Sequence, residues 1–313
     1  MSEGITPEEL LSWARGEGAS DIHLDPQPDG VRVRFRVDGV LREQEPLPAA
    51  CWPRWLGRLK VLGALDLLDG LHPQDGVVRV EAADWRLAVL PGIQGSKVTL
   101  RLLDARPLAG LAGLGMEPAT ANVLRRLLDG TGLLPVVGPA GAGKTTTLYA
   151  CLWESVQQGK LVVSLEDPVE RILPGVVQMQ IRPRVGLGFT EAVRAVLRHD
   201  PQVLAIGEVR DEDGARAVVR AALTGHLVLC TVHAANSLSA IERMLDLGAD
   251  RAALTATMCG VVEQHLVRRL CRECGGSGVS GGEPCARCRG QGWQGRELLA
   301  VVKPALAPLP RVT

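Results

Sequence analysis

Aromatic side chains are scarce: six tryptophans, two phenylalanines and one tyrosine among 313 residues. A groove that holds single-stranded nucleic acid by stacking needs aromatics interleaved with basic residues, and no stretch supplies that pattern. Net charge is missing as well, with 35 basic against 35 acidic residues. That balance argues against a chain built to coat nucleic acid or an anionic membrane, while leaving room for a local basic groove. No apolar run approaches the roughly 18 residues that cross a bilayer. The N-terminus, with Glu3, Glu8 and Glu9, lacks the basic-then-apolar order of a secretory signal, so a cytosolic protein is expected. The length suits about two domains and a small appendage.

The most informative stretch is Gly138-Pro139-Ala140-Gly141-Ala142-Gly143-Lys144-Thr145-Thr146, which has the G-x-x-x-x-G-K-[ST] spacing of a phosphate-binding loop. Its glycines let the backbone curl so that successive N–H groups face the phosphates, Lys144 adds a point charge near the β- and γ-phosphates, and Thr145 offers a hydroxyl to Mg²⁺. The context agrees. Leu133 to Val137 reads as a buried strand entering the loop and Thr145 to Gln158 as a helix leaving it, with its N-terminus toward the anion. A nucleoside triphosphate is the expected ligand.

Read from the start, Thr6, Pro7 and Glu9 spell the N-cap, first turn and capping box of a short helix that ends near Gly16-Glu17-Gly18. Val31 to Val37 alternates strictly and is followed by Asp38-Gly39, which predicts a half-buried strand opening a hairpin with Arg32, Arg34 and Arg36 on one face. A helix is expected from Trp52 to Leu67, and strands near Val77–Val80, Trp85–Leu90 and Lys97–Leu103, making the first hundred residues a small α+β domain. Arg106 to Gly110 breaks both periodicities and reads as a linker. A helix over Ala119–Leu128 then leads to apolar strands at Leu161–Leu165, Val203–Ile206 and Leu227–Thr231 that alternate with helical segments, the pattern of a parallel sheet wrapped by helices.

Polar residues gather just past those strands, where α/β folds place ligands. Glu166 follows the first, Glu208 the second, and His226 and His233 bracket the third. Phosphoanhydride hydrolysis needs metal-neutralised phosphates and an oriented water. Glu208 suits Mg²⁺, held directly or through water, and Glu166 the attacking water. The two histidines lie at opposite ends of a strand and cannot share a metal. One of them could sense a γ-phosphate while the other meets a neighbouring segment, and a purely structural role serves equally well.

Of eight cysteines, four form the pairs Cys271-x-x-Cys274 and Cys285-x-x-Cys288 with ten residues between them. Two such turns close a sulfur tetrahedron around a structural Zn²⁺, with redox dithiols as the alternative. Gly276, Gly278, Gly290 and Gly292 recur after the pairs, as in knuckles folded tightly around their ligands. Cys51, Cys151, Cys230 and Cys259 read as buried thiols without chemistry.

Taken together these stretches resemble the ATPases of type II secretion and type IV pilus assembly. Gly138–Thr146 is similar to that family's Walker A, Glu166–Glu170 to its Asp box, Arg198–Asp211 to its Walker B and Thr224–His233 to its His box; Ser20–His23, Arg34–Gly39 and Pro73–Gly76 resemble the domain before its motor. The resemblance covers about residues 18 to 296. It implies a RecA-like parallel-sheet motor (113–270) preceded by a small PAS-like α+β domain (1–105) and a linker (106–112), then a zinc knuckle (271–296) and a Pro-rich tail (297–313). It further implies a homo-hexamer hydrolysing ATP with Mg²⁺ between the two domains. Arg86 and Arg101 match the arginines that reach the phosphates; from the strand pattern alone they would be ordinary surface residues. The implied partner is an inner-membrane platform protein, met at the cytoplasmic face without nucleic acid contact, and the tetracysteine element favours assembly over retraction; a DNA-uptake pilus motor, or a non-hydrolysing nucleotide-binding regulator of such a ring, is the alternative. Departures are the short stretch before Ser20, the abbreviated segment at Gly295–Leu298, and Ser96 where the family usually has Glu.

Overall fold

The computed structural model describes residues 5–81, 83–103, 110–182 and 186–305. The chain divides into two compact units, Met1–Arg106 and Pro107–Thr313.

In the first unit the capping box forms: the Thr6 hydroxyl accepts from Glu9 N, the Glu9 carboxylate accepts from Thr6 N, and α1 runs Pro7–Gly16. Strands β1 (Ala19–Gln27), β2 (Gly30–Val37), β3 (Val40–Glu43), β4 (Gln74–Val80), β5 (Ala83–Leu90) and β6 (Lys97–Leu103) make one antiparallel sheet ordered β3-β2-β1-β6-β5-β4. Alternation puts Ile22, Leu24, Phe35, Trp85, Leu87 and Leu100 on the inner face, where α1 and α2 (Trp52–Leu62) cover them through Leu10, Leu11, Trp55 and Leu59. The helix expected to reach Leu67 stops at Leu62. Gly63 and the left-handed Ala64 break it there, and the buried Lys60 ammonium pins the following loop by donating to the carbonyls of Asp66 (3.0 Å) and Asp69 (2.7 Å).

The second unit opens with α3 (Gly110–Gly113) and α4 (Pro118–Leu128). Most of the expected linker lies at residues 104–109, outside the described residues. Its last residues belong to α3, fastened where Glu154 accepts from Leu111 N at 3.1 Å. A seven-stranded sheet follows, built from β7 (Gly132–Gly138), β8 (Val162–Glu166), β9 (Val176–Gln180), β10 (Val203–Ile206), β11 (Leu227–His233), β12 (Gly260–Leu270) and β15 (Trp293–Pro304), in the order β15-β12-β7-β11-β10-β8-β9. Every neighbouring pair is parallel except β12 with β15. Helices cover both faces. On one side α4 and α5 (Lys144–Gln157) pack over Leu134, Val136, Ala205 and Leu229. On the other, α6 (Phe189–Val196), α7 (Glu212–Leu223), α8 (Ser237–Asp246) and α9 (Arg251–Thr257) pack over Leu133, Leu165, Ile206 and Val228. Being buried on both faces explains why these strands read as continuous apolar runs.

The four cysteines lie in the connection between β12 and β15, with a small hairpin of β13 (Val279–Ser280) and β14 (Glu283–Pro284) between the pairs. The segment expected to be a Pro-rich tail from residue 297 is instead strand through Pro304. It pairs antiparallel from Leu270↔Trp293 to Gly260↔Pro304, because its prolines fall at and after the end of an edge strand, where no ladder donor is needed. Residues 306–313 lie outside the described residues.

Trp85 is fully buried at the centre of the first unit's core. Trp85→Ala should cost about 3–5 kcal/mol of that unit's stability, read as an earlier midpoint in urea unfolding followed by tryptophan fluorescence.

Candidate functional site: a phosphate loop at the carboxyl edge of a parallel sheet

The loop after β7 adopts the curl that its glycines allow. Gly141 (φ 74°) and Gly143 (φ 82°) sit in the left-handed region, where a side chain would be strained. Helix α5 begins at Lys144, and no side-chain cap satisfies its first turn, so the N–H groups there remain free to meet an anion.

Strand order decides what stands around the loop. β11 lies between β7 and β10, and in register His233 is opposite Gly138; Glu208 lies two residues past the end of β10. Three candidate groups therefore converge on one edge. The ammonium of Lys144, a residue only 6% exposed, donates to Gly138 O at 2.8 Å and Pro139 O at 2.9 Å and lies 3.2 Å from His233 Nδ1. His233 Nε2 is 2.9 Å from Glu208 Oε1. The other Glu208 oxygen accepts from Arg210 through Nε at 2.7 Å and a terminal nitrogen at 2.6 Å. An ammonium can only donate, so His233 Nδ1 accepts, and the proton sits on Nε2, donating to Glu208. Burial and the Lys144 charge hold the His233 pKa below the ordinary imidazole value against the pull of Glu208, which keeps this neutral tautomer at neutral pH. Burial also lowers the Lys144 pKa, opposed by Glu208. The guanidinium beside Glu208 gains from it in turn: that hydrogen bond raises the Arg210 pKa.

Thr145 is half-buried and Thr146 exposed at the start of α5. Thr145 and Glu208, the expected Mg²⁺ ligands, are an oxygen pair suited to a hard cation; a metal would take Glu208 oxygens that Arg210 and His233 hold here.

Glu166 departs from expectation. A carboxylate that orients a water should present an open oxygen, yet Glu166 is 3% exposed and both oxygens are engaged. Oε1 accepts from Ser164 Oγ (2.6 Å) and Gln178 Nε2 (2.9 Å), and Oε2 from the Tyr149 hydroxyl. Burial, then the neighbouring Glu166 charge, drives the Tyr149 pKa upward, so the phenol stays a donor. These three donors were not anticipated. Ser164 shares a strand face with Glu166 two residues on, and the chain's only tyrosine stands one helical turn past Thr145, both of which were readable signals.

His226 stands apart. It precedes β11, accepts from Gly132 N through its carbonyl at 3.0 Å, and its Nδ1 lies 2.8 Å from the Thr224 hydroxyl. The length of β11 puts it about 20 Å from His233 along the strand, at the opposite edge of the sheet from the phosphate loop.

Arg86 and Arg101, in the first unit, are direct cross-strand partners of β5 and β6. Like charges so placed repel. Arg101 Nε is held by Asp21 at 2.8 Å and Arg86 lies 3.9 Å from Asp75, while the Arg101 side chain is 69% exposed. Both guanidiniums thus stand side by side on the sheet's outer face. Arg34 on that face is paired with Asp25 (2.5 Å), Arg36 with Asp21 (3.6 Å) and Arg32 with Glu43 (2.5 Å).

The paired cysteines meet. Sγ atoms of Cys271, Cys274, Cys285 and Cys288 all lie within 4.8 Å of one another, with Cys271–Cys285 at 3.9 Å and Cys274–Cys288 at 3.7 Å. Sulfurs on a tetrahedral Zn²⁺ at about 2.3 Å sit about 3.8 Å apart, so the donor set fits a zinc knuckle. Gly278 N and Gly292 N donate to Cys274 and Cys288 sulfurs at 3.3 and 3.2 Å, the outer contacts that favour thiolates. The remaining thiols differ in burial. Cys151 and Cys230 are buried, which pushes each up to about 12, whereas Cys51 and Cys259 are half-buried.

A family model described as Type II/IV secretion system protein matches residues 5–307. The chain belongs to that family. It is 40% identical over 300 residues to the type II secretion system protein HxcR of Pseudomonas aeruginosa, covering 92% of this chain and 63% of that protein. It is 38% identical over 272 residues to the type IV pilus assembly ATPase TfpB of Acinetobacter baylyi, covering 85% of this chain and 46% of that one. The chain therefore spans about half to two thirds of the length of these relatives. Among solved structures it is similar to the pilus retraction motor PilT with bound ADP, at a TM-score of 0.67 and 26% identity over 97% of this chain and 84% of that one.

The sulfur cage generates a direct test. The purified family member should carry one Zn²⁺ per chain by elemental analysis, and Cys271→Ser with Cys274→Ser should release it and lower the melting temperature. Metal-free wild-type protein would contradict the cage's assignment.

Proposed function

We propose that this chain is a Mg²⁺-dependent ATPase of secretion or pilus type, working as a homo-hexamer that drives pilus or pseudopilus assembly through an inner-membrane platform protein. The observation that carries the reading is the buried Lys144 ammonium at the carboxyl edge of the sheet, coupled through His233 to Glu208. ATP phosphates entering the loop would exchange with the carbonyls of Gly138 and Pro139 as Lys144 partners, joined by the N–H groups of the loop and the first turn of α5. Mg²⁺ would be held by Thr145 and Glu208, neutralising the phosphates.

Mg²⁺ held at Glu208 would compete with His233 for its oxygens and so couple the metal to the lysine that would meet the γ-phosphate, which favours His233 over His226 as the sensor. Glu166 would reach an attacking water once the Tyr149 hydroxyl is exchanged for it. Arg86 and Arg101, side by side on the outer face of a PAS-like first domain, would supply charge to the transition state. The RecA-like sheet supplies the rigid frame and the zinc-filled tetracysteine knuckle a stapled end. Among the described residues no helix is long and apolar enough to cross a membrane, in keeping with peripheral attachment at the cytoplasmic face. The likeness to a pilus retraction motor keeps retraction as the second reading; the tetracysteine element speaks for assembly.

Glu208→Gln should bind ATP with nearly wild-type affinity while turnover falls by two or more orders of magnitude, an effect on the scale of losing one electrostatic group from a transition state. Unchanged steady-state phosphate release would remove Glu208 from the site. Turnover should also fall on the acid side, because protonation of His233 sets a second cation against Lys144 and breaks its acceptor contact. The imidazole's lowered pKa places this loss below the ordinary imidazole range, and His233→Asn should flatten that limb of the pH–rate profile.

A further inference from the structure

Strand β12 enters the site from the side opposite Glu208, and its contact with the loop has a consequence for phosphate binding. Gln264 is 1% exposed. Its Nε2 donates to the Ala142 carbonyl at 2.6 Å, while its Oε1 is buried and finds no partner among the described residues. Rotating the amide would set oxygen against the Ala142 oxygen, so chemistry fixes which end faces the loop. The same strand shapes the loop through its backbone. A Cβ on Gly138 would lie 2.3 Å from Gln264 O, and one on Gly143 would lie 3.4 Å from Gln264 Nε2 and 3.5 Å from Leu266 Cδ1.

Ala142 O and Gly143 N belong to one planar trans peptide, in which carbonyl and N–H point in opposite directions. Tying the carbonyl to β12 aims the Gly143 N–H away from β12. Gly143, at φ 82° and ψ 21°, is the residue for which this peptide could flip most cheaply, since a glycine tolerates both orientations.

We infer that Gln264 is a positioning residue for nucleotide binding: its amide locks the Ala142–Gly143 peptide so that the Gly143 N–H is preset for a phosphate oxygen. The inference rests on the nucleotide reading above. An unsatisfied buried acceptor is a standing cost, and an apolar side chain of equal length would remove it; retention of the amide is accounted for by its donor half.

The test is calorimetric binding of ATP and ADP to the full chain, with melting temperature measured alongside without nucleotide. Gln264→Met keeps length and burial but has no donor. It should weaken both nucleotides about tenfold, the order of one lost buried hydrogen bond, while melting stays close to wild type because the orphaned oxygen goes too. Val262→Ala, a cavity two residues away on the same strand, should lower the melting temperature with nucleotide affinity unchanged. Wild-type affinity in Gln264→Met, or an equal loss in Val262→Ala, would overturn the positioning role. Absence of ATP and ADP binding in the wild type would overturn the nucleotide reading itself, and the inference with it.

Discussion

A buried ammonium must be paired, because removing a charge from water without partners costs several kcal/mol. Lys144 meets that demand with two loop carbonyls and one imidazole nitrogen, and most of the site follows from it. The imidazole must be neutral and must present Nδ1, so its proton goes to Nε2 and its partner must be an acceptor. Glu208 is that acceptor, and Arg210 balances the carboxylate. One requirement at the loop thus propagates across three adjacent strands, and it does so because β11 lies between β7 and β10.

The sheet supplies rigidity where that relay needs it. Its central strands are buried on both faces, so their carboxyl ends are fixed relative to one another, while the catalytic candidates project from that edge. β12 extends the frame outward, from its parallel pairing with β7 at Val262 and Glu263 to Leu270, the residue before the first cysteine. The sulfur cage and the phosphate loop are therefore fastened to the same strand at different points. A filled cage would keep β12 and β15 from fraying at the end where their register shifts, between Arg268 and Leu270.

Much of this was legible in the chain. The G-x-x-x-x-G-K-T spacing, the buried apolar runs and the two C-x-x-C pairs each reflect a local rule, and local rules can be read from order alone. Strand lengths near Lys97–Leu103 and Val203–Ile206 matched because their boundaries are marked by polar residues. What could not be read depends on strand order, which periodicity does not encode. The saturation of Glu166 needs Gln178, which β9 brings alongside β8, and Tyr149 from a helix over the sheet. The sorting of His233 to the loop and His226 to the far edge needs only strand direction, and the sequence already held it. The overlong helix after Trp52 and the supposed tail after residue 297 were missed for a different reason: a single left-handed residue ended one, and pairing with a distant strand ordered the other.

The central claim is that the Lys144 ammonium exchanges its carbonyl partners for nucleotide phosphates. Titration calorimetry of ATP into wild-type protein and Lys144→Ala, in buffer containing Mg²⁺, tests it most directly. The account predicts one ATP bound per chain in the wild type and binding at least about a hundredfold weaker in the variant, the order expected when a charged hydrogen-bonding group is lost. Equal affinity in the two proteins would contradict it.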